Sequence, residues 1–177
     1  MKPLIFAVFL SLQAGSSQGT TIQSFQLSED HSHLSIHLSD GAVLSAPLTA
    51  AKQSGFSNVQ VSPNRHLIGW TVTFSNCCTS YPLPRALVIH NGSRVVRIVS
   101  AENLSIFDWH FAPGNKSLVF IRELPHGSSP QLFRWIRISD GKLLGKFDCY
   151  PTDPDHPPKV HLQPPDWTGA QDADCSH

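Results

Sequence analysis

Charge is what this chain has least of. Only 15% of its 177 residues are Asp, Glu, Lys or Arg, against about a quarter in an ordinary domain. Its 13 basic residues balance 13 acidic ones. Without a basic excess it lacks the footprint that neutralises phosphates, so nucleic acid is not an expected partner. No polybasic patch draws it to a membrane surface, and no apolar run reaches the ~20 residues that a spanning helix needs. A 3.6-residue apolar stripe sustained over ten or more residues is also missing, which argues against helices. There is no Gly-x-Ser-x-Gly elbow, no His-Glu-x-x-His and no Gly-rich phosphate loop. Catalysis therefore has no positive motif behind it, and no cofactor is expected. Cysteine is limited to Cys77, Cys78, Cys149 and Cys175, without the separated pairs of a structural zinc site.

The N-terminus has a recognisable layout. Lys2 precedes the short apolar run Leu4-Ile5-Phe6-Ala7-Val8-Phe9-Leu10, and Ala14-Gly15-Ser16-Ser17 follows. One charge, a short apolar core and small residues describe a secretory signal peptide. Residues 1–19 are read as that signal, 20–149 as one β-repeat domain and 150–177 as a Pro-rich tail. Export to the periplasm or the extracellular space follows, with no membrane span after signal removal.

Period-2 alternation dominates the remainder, and it recurs. Val61-Ser62-Pro63-Asn64 followed by Leu67-Ile68-Gly69-Trp70 is echoed 50 residues later by Phe111-Ala112-Pro113-Gly114 and Leu118-Val119-Phe120. Turns at Asp40-Gly41, Asn91-Gly92 and Asp140-Gly141 lie 51 and 49 residues apart. Periods of this size mark propellers, solenoids or arrays. Asp-Gly and Asn-Gly suit hairpins whose central residues take positive φ. The positions three and five before each turn glycine are apolar every time: Leu38 and Ile36, Ile89 and Leu87, Ile138 and Ile136. That pattern implies one shared buried face. Pro63 and Pro113 open a second tight turn per repeat, so a complete repeat holds four strands in an antiparallel meander. Counting back from Gly41 leaves the first repeat incomplete, with a strand near Ile22 to Leu27 and then its hairpin.

Phe-Ala-Pro-Gly-Asn-Lys-Ser-Leu-Val-Phe at 111–120, followed by Leu132 to Lys142 with its Asp140-Gly141-Lys142 turn, resembles a blade of the TolB-type, WD-repeat-like β-propellers. Their blades read Phe-Ser-Pro-Asp-Gly-Lys, an apolar strand and a later Gly-Lys turn. The likeness covers roughly residues 55–148, departs at Asn64-Arg65 where Asp-Gly is usual, and lacks a closing Trp-Asp. It implies an all-β, propeller-like fold. Closed propellers need about four or more blades, and this chain supplies two and a part. Either several chains complete a ring as a homo-oligomer, or the blades form an open stack with the tail covering exposed strands.

Several residues invite a functional role. Phe133, Trp135 and Arg137 share the strand face opposite Ile136 and Ile138, and an aromatic and Arg cluster is the composition of a binding hot spot. The competing reading is packing against a neighbouring blade or the tail. Each of Cys77 and Cys78 is expected to pair with one of Cys149 and Cys175, tying the tail to the loop after Phe74. His31, His33 and His37 would line one face of an extended strand, too spread out for a catalytic metal. His90, His110 and His126 fall at strand ends in surface or capping roles. Asp108 reads as a turn residue leading into the strand at Phe111. Three Asn-x-Ser sites, at Asn91, Asn103 and Asn115, matter only in a glycosylating host. The resulting expectation is an exported, non-catalytic module that binds a protein through a blade face or edge. Its alternatives are a hydrolase of glycan or peptide with a loop-borne site, and a structural remnant of a shortened propeller.

Overall fold

A computed structural model describes residues 20–78, 80–125, 130–150 and 164–169. The signal segment, His126, an expected short strand at 160–162 and Cys175 lie outside the described residues. The rest is all-β. Sheet 1 contains β1 (Ile22–Leu27), β2 (Leu34–Leu38) and β3 (Val43–Ser45). Sheet 2 contains β4 (Gln53–Val61), β5 (Ile68–Phe74), β6 (Leu83–His90) and β7 (Val95–Ser100), each pairing with the next. Sheet 3 repeats that order with β8 (Ser105–Phe111), β9 (Ser117–Glu123), β10 (Gln131–Arg137) and β11 (Leu143–Cys149). All pairings are antiparallel. The sheets succeed one another in chain order without closing, an open propeller-like stack of two four-stranded sheets and one of three strands.

The turns explain the meander. Gly41, Gly92 and Gly141 all have φ between 75° and 86°, where only glycine avoids strain. The residue before each glycine is not in that region, contrary to the expectation of two positive-φ residues. Instead its side chain secures the turn: Asp40 accepts from the Ala42 N–H, Asn91 from Ser93 and Asp140 from Lys142. The proline turns match each other too, with Arg65 and Asn115 at equivalent positive φ, 60° and 57°.

Sheet 2 is buried on both faces. Trp70, Val72 and Val88 pack toward sheet 1 against Ile22, Leu34, Ile36 and Leu38. Leu87 and Ile89 pack the other way, against Ile106, Trp109 and Phe120 of sheet 3. Each fully buried apolar side chain contributes about 1.5–3 kcal/mol, so these two layers hold the stack together.

The shared-face expectation needs one correction. Ile136 and Ile138 are buried like their counterparts, but they point back into the layer shared with sheet 2. In sheet 1 the turn closes from the Gly41 N–H to the Leu38 oxygen; in sheet 3 it closes from Gly141 to Arg137, one residue longer. One residue of offset transfers every side chain to the opposite face. As a result Phe133 and Trp135 look outward from the end of the stack.

Hydrogen bonds tie the sheets to one another. Arg65 donates from Nε to the Ile22 oxygen, and its own carbonyl receives the Ile22 N–H. Trp109 of β8 donates from Nε1 to the Asn58 oxygen of β4, and Gln60 donates its amide to the Trp109 oxygen.

Candidate partner-binding surfaces

The aromatic cluster at the far end of sheet 3 is already covered. Phe133 has no exposed surface and packs with Cys149, Ile121, Phe147 and Trp167. Trp135 is half-buried, donates from Nε1 to the Ser117 hydroxyl at 2.9 Å, and stacks on Trp167 with ring centroids 5.9 Å apart. Trp167 sits in a 3-10 turn, Asp166–Thr168, set by Pro165 before it and by Gly169 at φ 72° after it. Arg137 pairs with Asp140 at 2.9 Å on the surface. The three candidate residues thus diverge: Phe133 is core, Trp135 is a seat for the tail, and Arg137 braces its own turn. Trp167 is the residue that sequence reasoning missed. Its signal was an isolated large aromatic within a Pro-rich stretch, where nothing local could bury it.

The expected cross-links are also corrected. Cys77 and Cys78 are free and exposed. Their sulfurs lie 2.7 Å apart, and Cys77 pushes the Cys78 thiol upward by hydrogen bonding and then by charge. Neither is bonded to Cys149 as expected: Cys77 and Cys78 follow β5, whereas Cys149 ends β11 and is buried against Phe133.

No histidine row forms. His31 and His33 lie in the turn before β2, with His31 at φ 60°, and only His37 is in the strand. Asp30 organises that turn. The Ser28 hydroxyl, the Ser32 N–H and the Ser32 hydroxyl hold its carboxyl at about 2. Among the described residues no group of three or more His, Cys, Asp or Glu is placed to hold a metal ion. His90 has a capping role and is buried: its Nδ1 accepts the Gly92 N–H at 3.0 Å. Asp108 lies within β8 and not in a turn, accepting from the Trp109 N–H at its bulge.

Among the described residues, a sheet edge is left unpaired at β1. β4 and β8, the first strands of sheets 2 and 3, touch each other, and β1 touches β4. β1 holds the outer position in sheet 1, where the other two sheets each have one strand more. Gln23, Ser24, Phe25 and Gln26 are exposed along it, and the strand, Ile-Gln-Ser-Phe-Gln-Leu, bears no charge. Natural edges are usually protected by Lys, Pro or brevity. β3, at the other edge, is only three residues long; β1 has no Lys or Pro, and beyond Ile22, which Arg65 engages, and the irregularity between Ile22 and Ser24, it runs on to Leu27.

Fold and site together define an open, blade-like stack of antiparallel sheets with one sheet a strand short. No protein-family model matches the chain, and no curated protein is similar to it. No described helix is long and apolar enough to cross a membrane.

Proposed function

We propose that this protein is an exported, non-catalytic binding module related to the TolB-type propellers, and that it takes an extended strand from a protein partner at β1. The observation that carries the reading is the three-stranded first sheet beside two four-stranded ones. Strand addition needs an exposed edge whose N–H and C=O groups supply affinity, with alternate side-chain positions supplying selectivity. β1 offers six uncharged residues with Phe25 standing 39% exposed. A neutral, alternating strand is the complement. Covering of the Phe133 and Trp135 face by the protein's own tail favours the edge over the blade face as the docking surface. Export rests on Lys2, the run Leu4 to Leu10 and the small residues after it.

The test uses a peptide copying β4, Gln53–Val61, the strand of sheet 2 that has no counterpart in sheet 1. Hydrogen exchange is followed with and without it. Slower exchange confined to β1 amides, abolished by Ser24→Lys together with Gln26→Lys, supports the reading. Exchange in β1 that is already slow in the isolated protein, or unaltered by the peptide, counts against it.

A further inference from the structure

Independently of β1, we infer that the groove between β7 and the inward face of sheet 3 binds a small organic anion, a carboxylate or phosphate ester carrying an apolar body. The groove has a volume of about 470 Å³ and is lined by three arginines, Arg97, Arg122 and Arg134, over an apolar floor of Phe120 and Ile136, with two exposed carboxylates, Glu102 and Asp140, of which Asp140 is paired with Arg137. That volume falls in the range of small-molecule sites, which combine apolar walls with a few convergent polar groups. Guanidinium forks match carboxylate and phosphate oxygens.

The arginines are held in different ways. Arg97 is fastened to neutral oxygens, donating from Nε to the Ile138 carbonyl at 2.8 Å and from its second terminal nitrogen to the Ser139 carbonyl at 2.6 Å. It brings a positive charge to the groove without a carboxylate among those two partners. Arg134 is paired with Asp148. Arg122 is the centre of the argument. Its side chain is 16% exposed, and its Nε is buried with no hydrogen-bond partner among the described residues. A buried charged donor left without an acceptor is costly, and an anion in the groove would remove that cost. Its terminal nitrogen meets Glu102 at 3.2 Å, yet the Glu102 side chain is 74% exposed. Water around the carboxylate screens the pair and weakens it. Glu102 thus occupies the Arg122 fork as a weak, displaceable substitute for a ligand oxyanion.

The test follows Arg122 directly. Phenylacetate, phenyl phosphate and neutral benzyl alcohol are titrated into the full-length, 15N-labelled protein, and the arginine Nε–H resonances are read by NMR. A saturable shift at Arg122 with one or both anions and none with benzyl alcohol is expected; the tighter anion identifies the head group. Glu102→Gln removes the competing carboxylate from an exposed position and should tighten binding about threefold, within the range of a surface ion pair. Arg122→Met should abolish it. No saturable shift with either anion, an equal response to benzyl alcohol, or a Glu102→Gln protein that binds no more tightly overturns the inference.

Discussion

Trp135 and Trp167 stack with their planes 27° apart, joining the third sheet to a turn of the C-terminal tail. The contact ends the stack. A fourth sheet would pack on this face, and in its place two indoles, Phe133 and Phe147 form a small closing core. The same contact decides which surfaces remain available to a partner.

Removing the lid should expose that core. Trp167→Ala is expected to cost about 2 kcal/mol, from lost ring contact and partial burial. The urea midpoint should fall, and the Trp135 emission should shift to the red as water reaches it. An unchanged midpoint and spectrum would mean that the tail contributes nothing to closing sheet 3.

Gly69 marks a close approach between sheets 2 and 3. A Cβ there would lie 2.5 Å from the Trp109 ring and 2.6 Å from Ile89 Cδ1. Gly69→Ala should therefore lower stability by about 2–3 kcal/mol, the cost of overpacking a filled core. Gly114 is the comparison: a Cβ there meets nothing within 4 Å, but φ is 83°. Gly114→Ala is expected to cost only about 1 kcal/mol, from the backbone alone. Thermal melts of the two variants check the order.

Stability should depend on pH through His90. Burial holds its imidazole below the ordinary value of 6.5, and Nδ1 must stay unprotonated to accept the Gly92 N–H. The unfolded chain then binds the proton more readily than the folded one. The stabilisation is complete above 6.5 and is lost as pH falls from there through the depressed folded value. Urea midpoints at about pH 7.5 and about pH 5.5 bracket the ordinary histidine range; His90→Gln should flatten the difference between them.

Much of this architecture could be read along the chain because it is set by local rules. Pro63 and Pro113, the three glycine turns and the alternation of Leu87 with Ile89 specify strands and hairpins over a few residues, so the four-stranded meander and the incomplete first sheet were both legible. The face taken by Ile136 was not legible. It depends on whether a turn closes over three residues or four, and Asp-Gly permits either.

The candidate site was less accessible for a related reason. Phe133 and Trp135 looked like a hot spot because composition records which side chains share a strand face and says nothing of what lies upon it. Cys77 and Cys78 looked like halves of two cross-links because pairing by number ignores where the strands end. The groove of Arg97, Arg122 and Arg134 joins residues from β7, β9 and β10 and had no linear signature at all.

The sequence by itself determined the strands, their order within each sheet, the all-β class and the short first repeat. These depend on backbone preferences and alternation, which act over a few neighbours. Only the tertiary structure decided which faces meet, where Trp167 settles, which edge stays open and how three arginines converge. Those outcomes arise from contacts between residues distant in the chain, and in a twisted stack of sheets a single added residue reverses the side from which a contact is made.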